Sequence, residues 1–523
     1  MRLRSSMKAA VFGSRKSVVA QIGTWGEIGM KIKKMGMLCA MLSFLLLALA
    51  GCQTVGGVDI TKALVSGADV KSSEGSASVT LELLGNGKPD SDNTAVLKYI
   101  ELLKKVTINL KEIKTESPEL LSAKGEIALS GGVTIPLSLT VGKDKLTVLF
   151  DGASKPYVLN LKEALPLDKL LPVELPLDSL GSNPSVMISK LMPFIAKSLP
   201  EPSVINVEKA TETINNEAVS LNKVHFEVKG KEVAGLIKQF IGNILEDEAG
   251  LRELVKMVMN QSSAQGGFDF SGIAVEFIKP MLQDLQANID TKLAETGFVN
   301  DKFSLKSDLF LDSDLYQRKA NFELSMSLPE LEKDGFTGLK VTGTMDKWNL
   351  NKPVTADVID VSKGALEQTE DTKMAHFIKT LGEDSKLYGL LVKDLQVLKK
   401  EIVLQMSDDG KHVPDTLNPF IKEGNTMVPV RFVTERLDAD VEWNNDTREV
   451  TITDIMTGKK VVLTIDSKSV QVNGQTLNEQ QSPEVAPEIV EGSTYVPGAW
   501  LARLFDATTA WNNDTRQVTI KKD

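Results

Sequence analysis

Residues 443–453 read WNNDTREVTIT and residues 511–522 read WNNDTRQVTIKK, so six identical residues recur at a spacing of 68. The copies continue upstream, where NTMVPVRFVTERLDADVEW (425–443) lies over STYVPGAWLARLFDATTAW (493–511). Val428 and Pro429 meet Val496 and Pro497, Phe432 meets Trp500, Leu437 meets Phe505, and Asp438-Ala439 meets Asp506-Ala507. Each copy, 425–453 and 493–521, reads as one strand–helix–hairpin unit. A short strand ends at the proline, whose fixed φ suits the first turn of a helix. The helix buries an aromatic residue and a Leu or Phe five positions on. A strand then runs to Trp443 or Trp511, NNDT turns the chain because Asn and Asp tolerate positive φ, and a return strand follows. Between the copies, Asn473-Gly474 marks a further two-residue hairpin. Trp443 and Trp511 read as core anchors on the preceding helix, with stacking on a sugar or peptide as the alternative. Arg431, Phe432 and Trp500 complete this set of structural or binding candidates.

The pattern VPVRFVTERLDADVEWNNDTREVTI resembles the copper amine oxidase N-terminal, or stalk, domain, a module common at the ends of secreted and surface proteins of Gram-positive bacteria. The resemblance spans 399–523. The first copy keeps Arg431 and Phe432, while the second departs with Ala499 and Trp500. In the oxidases this domain lies apart from the catalytic one, so the resemblance implies a binding or scaffolding module and no activity. The oxidase chemistry would need three histidine ligands and a tyrosine within Asn-Tyr-Asp/Glu. The three histidines, His225, His376 and His412, form no His-x-His pair, and Tyr99, Tyr157, Tyr316, Tyr388 and Tyr495 follow Lys, Pro, Leu, Leu and Thr.

Other chemistry is equally unsupported. The motifs of zinc proteases, serine hydrolases, phosphate-binding loops and dinucleotide folds are absent. His225 lies in a strand-like KVHFEV and reads as a hydrogen-bonded structural residue. Asp90-Ser91-Asp92-Asn93 and Asp312-Ser313-Asp314 lack the Gly and the downstream Glu of a calcium loop, and read as turns or caps. Met257 and Met259 sit two apart on a helix, so they serve core and surface. No catalytic residue, metal site or cofactor is expected.

Upstream, residues 61–398 mix strands and helices. Val106, Ile108 and Leu110 alternate with polar residues, as do Ile135, Leu137, Leu139 and Val141, and later Phe322, Leu324, Met326 and Leu328. That period of two marks strands buried on one face. Val233, Leu236, Ile237, Phe240, Ile241 and Ile244 keep helical spacing. Further helices are expected over 93–105 with Asn93 as cap, and over 248–260, 273–295 and 362–398. The Leu- and Pro-rich segment 165–200 makes short helices that bury against the open sheet face. The class is α+β: a central antiparallel sheet, open or curled into a half-barrel, with helices, then the small α+β domain of two repeats. At the level of architecture alone, the central region resembles the LolA/LppX-like lipoprotein carriers, which implies an apolar, acyl ligand.

The N-terminus gives the location. Met30 to Lys34 is basic, MLCAMLSFLLLALA (37–50) is apolar, and Leu49-Ala50-Gly51-Cys52 matches the bacterial lipobox. The run is short for a membrane span and has the layout of a secretory signal. Residues 1–51 are expected to be a signal region whose true start is Met30, cleaved before Cys52, with 52–60 as a tether. Cys52 would carry diacylglycerol and an added acyl chain such as palmitate, enough for stable anchoring. Both cysteines, Cys39 and Cys52, are then accounted for, so no thiol chemistry remains downstream. Of 60 Lys/Arg and 70 Asp/Glu, residues 1–51 hold eight and one, leaving 52 and 69 and a net charge of −17. Such a body does not seek nucleic acid. The expectation is a lipid-anchored, non-catalytic protein on the extracytoplasmic face of the membrane. Its stalk-like domain would scaffold cell-wall polymer or an envelope protein. The alternative is a carrier or sensor holding an acyl ligand in the central domain, and an unrecognised hydrolase is a distant third.

Overall fold

The computed structural model describes residues 54–523 apart from 88–93, 143, 162–183, 261–270, 298 and 370. Leu49, Ala50, Gly51, Cys52, Asp90 to Asn93 and most of the Leu/Pro-rich segment lie outside the described residues. The chain divides into two units. In the described residues, the first runs to Asp371 and includes Leu381–Leu390; the second holds Thr372–Thr380 and Leu391–Asp523. Among the described residues no helix is long and apolar enough to cross a membrane.

The first unit is built on a twelve-stranded sheet: β1 (Ser73–Gly85), β2 (Lys105–Ser117), β3 (Leu120–Leu129), β4 (Thr134–Gly142), β5 (Lys145–Phe150), β6 (Tyr157–Asn160), β7 (Val204–Ile214), β8 (Glu217–Lys229), β9 (Ser304–Leu311), β10 (Gln317–Ser327), β11 (Phe336–Trp348) and β12 (Leu366–Glu367). The order is β12-β6-β5-β4-β3-β2-β1-β11-β10-β9-β8-β7, antiparallel except for the short parallel pair of β12 with β6. The two edge strands do not pair, so the ladder stays open.

Register explains why one face is apolar. Directly opposed residues share a face, and Val228, Leu305, Leu324, Val341, Leu81, Val106 and Leu129 form one cross-strand row. Val224, Leu309, Ala320, Met345, Ala77 and Leu110 form another. On the other face, His225, Asp308, Asn321, Thr344, Ser78, Asn109 and Glu126 make a wholly polar row. Expected alternation and observed faces agree.

The helices are α1 (Ile60–Ala68), α2 (Thr94–Leu103), α3 (Pro184–Ser198), α4 (Gly230–Glu246), α5 (Glu248–Asn260) and α6 (Ser271–Thr296). Asp59 caps α1 by accepting the Lys62 N–H at 2.9 Å, and Glu232 reaches back to the Lys229 N–H at the start of α4. Residues 54–59, expected within a tether, instead form a two-stranded hairpin whose Val58 is buried. Residues 362–398 depart from the expected long helix. The described residues there hold only Met374–Lys379 (α7), Lys386–Tyr388 and the turn Gly389–Asp394 as helical pieces. Gly382 and Ser385 interrupt the run, and Ser385 begins a new cap with the Tyr388 N–H.

In the second unit, the first copy is β15 (Asn425–Pro429), α8 (Val430–Arg436), β16 (Ala439–Asn444) and β17 (Glu449–Asp454); the second is β22 (Ser493–Pro497), α9 (Gly498–Leu504), β23 (Thr508–Asn512) and β24 (Gln517–Lys522). Strand β13 (Lys400–Gln405) pairs with β24, and β14 (Phe420–Lys422) with β15. Strands β18 (Lys460–Thr464), β19 (Val470–Val472) and β20 (Gln475–Thr476) extend the first hairpin, and β21 (Glu488–Val490) pairs with β22. The copies meet through β15 and β22, antiparallel and centred on Val428 opposite Val496. The duplication is therefore assembled as a pseudo-twofold pair with a self-matching contact. Gly498 takes the place of Val430 because a Cβ there would stand 2.8 Å from Val428. Both helices end alike: Leu437 and Phe505 are buried, and Asp438 and Asp506 adopt positive φ.

The turns need a correction. Positive φ in the two repeated hairpins falls on Arg448 and Arg516, not on the Asn and Asp of NNDT. Asn444 and Asn512 act through their side chains, each accepting two backbone N–H groups of the turn at 3.0–3.3 Å.

Candidate functional site

In the first unit a cavity of about 410 Å³ lies between α1, α3 and the apolar face of β1, β8, β9, β10 and β11. Its floor includes Val224, Leu309, Ala320, Phe322 and Val79, and its roof Ile60, Ala63, Leu64 and Met192. Small residues create the space. Ala63, Gly67 and Ala68 line it from α1, and a Cβ on Gly67 would meet nothing within 4 Å. Gly343 lets the Phe322 ring lie across β11, since a Cβ there would stand 2.1 Å from that ring. The volume falls within the range of about 300–1,000 Å³ typical of small-molecule sites.

One end of the cavity is polar. The β9–β10 ladder skips Arg318, which places Gln317 opposite Leu311, and Lys347 follows Met345 on the same face of β11, opposite Gly75. Both Gln317 and Lys347 line the cavity. Burial pushes the Lys347 ammonium below its ordinary pKa. Away from the helices the same sheet face stays open: Leu81 is 38% exposed and Ile108 36%. Neither α1 nor Lys347 was legible as part of a site. The one sequence signal is the Ala63–Gly67 spacing, which keeps one helix face small.

In the second unit a cleft of about 350 Å³ is lined by Arg431, Phe432, Glu435, Arg436, Trp443 and Ile489 among others. Arg431 Nη1 donates to Glu435 Oε1 and to the Val441 carbonyl, both at 3.0 Å. The Arg436 guanidinium stacks 3.5 Å from the centre of the Phe432 ring. Three of the five candidate residues thus share one cleft. The other two do not join it. Trp500, 3% exposed, belongs to the core, and its indole Nε1 donates to the Gln481 carbonyl at 2.8 Å. Trp511 lies on its own hairpin near Arg516. The copies have diverged: where Trp500 fills the second, the smaller, half-buried Phe432 leaves the first open.

Trp443 and Trp511 are not the core anchors expected of them, being 40% and 44% exposed. The reason is length. A seven-residue helix spans about 10 Å, whereas five residues of strand from Ala439 already span about 14 Å. Burial along β16 fades from Ala439 toward Asn444 accordingly.

The three histidines, Tyr495 and Asp312 make local structural contacts. His225 Nδ1 lies 2.7 Å from Asp308 on the polar sheet face. His376 Nδ1 accepts the Lys373 N–H, leaving Nε2 to donate to Asp440 at 2.8 Å. His412 packs edge-on against Phe420 and Tyr495 and meets Glu491 at 3.3 Å. Desolvation, with the Glu491 charge adding to it, pushes the Tyr495 hydroxyl up to about 12. Asp312 Oδ1 accepts the Asp314 and Tyr316 N–H groups, the turn role expected of it. Met257 and Met259 fall on α5, but their side chains lie outside the described residues. Among the described residues no group of three or more His, Cys, Asp or Glu is arranged to hold a metal.

The duplicated strand–helix–hairpin and its pseudo-twofold contact set the place of this unit among known domains. Residues 408–520 match the family model of the copper amine oxidase N-terminal domain. The cleft and both tryptophan hairpins fall inside that copper amine oxidase N-terminal-like module, whose family name concerns a domain and not an oxidation. Among solved structures, the crystal structure of the Mycobacterium tuberculosis lipoprotein LppX is similar at 14% identity, covering 57% of this chain and 96% of that one, with a TM-score of 0.21. No curated protein matches the chain.

Proposed function

We propose that this chain is a non-catalytic lipoprotein, acylated at Cys52 and held on the extracytoplasmic face of the membrane, whose first unit holds an apolar chain. The observation that carries this reading is the cavity, walled by five strands and two helices with mostly aliphatic and aromatic side chains. Water there would find few of the two to four polar partners it needs, whereas an acyl chain gains about 25 cal/mol for each Å² of apolar surface buried. Organic extraction of the purified full chain, followed by mass spectrometry, tests it. Non-covalent acyl lipid should accompany the native chain and be depleted in Ala77→Trp, which fills the cavity from β1. Native protein free of acyl lipid and unable to take up a fluorescent fatty acid would refute the reading.

A second reading, that residues 399–523 form a separate domain contacting cell-wall polymer or an envelope protein, is favoured by the open cleft with its exposed Trp443. Stacking on that indole suits a sugar ring or a peptide side chain. Trp443→Ala should then reduce retention on isolated cell wall, and unchanged retention would remove this reading.

A further inference from the structure

We infer that the occupant of the first-unit cavity is an amphiphile whose single anionic head, a carboxylate or a phosphate, is bound by Lys347. The inference rests on the reading of that cavity as an acyl-chain site and adds the chemistry of the head group.

Three observations lead to it. The register of β11 places Lys347 on the same face as Met345, at the end of a cavity whose floor is otherwise apolar. Among the described residues its ammonium has no carboxylate: neighbouring strand lysines are paired, Lys319 with Glu212 at 2.9 Å and Lys340 with Glu323 at 2.8 Å, but Lys347 is not. The acids nearest in sequence and in register, Asp346 and Glu74, do not supply a partner. Asp346 faces the opposite side of the sheet with Lys319, and Glu74 pairs with the Asn349 amide. Burial lowers the pKa of Lys347.

A partly desolvated, unpaired cation is unfavourable in the empty protein, and an anion arriving with the ligand would remove that cost. Lysine presents a compact point charge, suited to a carboxylate or a phosphate alike. Gln317, at the same polar end, can donate its amide to either. A head group held there would direct its chain along the floor toward Val224 and Phe322.

The test titrates the purified full chain with palmitate, hexadecyl phosphate and hexadecanol, which share a chain and differ in the head. Competition against an environment-sensitive apolar dye gives each affinity. The native chain should prefer at least one anion over the alcohol by about 10- to 100-fold, the scale of a charge-assisted hydrogen bond, and the stronger anion identifies the head. K347M, of similar length and uncharged, should erase that preference without weakening hexadecanol, and K347R should retain part of it. Because K347M deletes an unpaired charge, it should melt no lower than the native chain; if it fails to fold, K347Q carries the same test. Equal affinity of the native chain for all three probes, or a preference surviving K347M, overturns the head-group inference and leaves the acyl-chain reading standing. No binding of any probe overturns both.

Discussion

Trp500 and Trp443 are two tryptophans of one duplicated module with opposite expected costs of removal. Trp500 is 3% exposed, packed within the same core as Leu501 and Phe505, and its indole N–H satisfies the Gln481 carbonyl. Trp500→Ala opens a cavity there, worth about 3–5 kcal/mol for a buried aromatic, and leaves that carbonyl without its donor. At about 3–6 °C per kcal/mol for a unit of this size, the second unit should melt about 10–30 °C lower. Trp443, 40% exposed at the end of its hairpin, should cost about 1 kcal/mol or less and shift melting by only a few degrees. Scanning calorimetry of the full chain, following the transition of the second unit, measures both. The complementary change, Phe432→Trp, reproduces the closed copy in the open one and should be tolerated, with loss of the cleft. Equal shifts for Trp443→Ala and Trp500→Ala would refute the assignment of Trp500 to the core and of Trp443 to the surface.

Three further outcomes follow from local geometry. Gly125→Ala places a Cβ 1.9 Å from the Asn109 carbonyl oxygen, a backbone atom that cannot swing away; the resulting strain should cost about 1–3 kcal/mol, read as a lower urea midpoint. Asp454 is buried beside Lys522 at 2.7 Å, and although burial pushes its carboxyl up, Lys522 and the Thr457 N–H hold it below the ordinary carboxylate value. Its folded pKa lies below the unfolded one, so its contribution is complete above about pH 4 and fades as pH falls through the folded value; Asp454→Asn should flatten that acid limb of the stability profile. Arg448 holds positive φ and, among the described residues, pairs with the exposed Asp466, so Arg448→Gly should stabilise by up to about 1 kcal/mol. Arg516→Gly should gain less, because its Nε also donates to the Ser407 carbonyl at 3.0 Å; denaturation curves that reversed this order would contradict it.

Much of the architecture is written in local periodicity. Strands with one dry face show it directly, as Val106, Ile108 and Leu110 do, and the duplicated segment declares its own boundaries by repetition. What sequence could not supply was depth of cover. The alternation that puts Trp443 on the face of Ala439 and Val441 says nothing of where α8 stops, so an exposed indole reads as a buried one. In 362–398, leucines at helical spacing fit the template, but Gly382 and the Ser385 cap divide the run. Backbone N–H groups just before it find side chains instead: Asp357 donates to Ser122 Oγ, and Ile359 to Thr140 Oγ1. Lys347 was invisible for another reason. A lone lysine in an alternating strand looks solvated until the register shows which face it shares.

The ladder of β13 with β24 sets Lys400 beside Lys522, so the C-terminal module is entered and left at adjacent points, about 5 Å apart across antiparallel strands. Some 120 residues therefore advance the polypeptide hardly at all between Lys400 and Lys522. Tension applied at the module's two ends would load that ladder one hydrogen bond at a time from the Lys400 end, a geometry that yields progressively to pulling and does not resist as a sheared pair would.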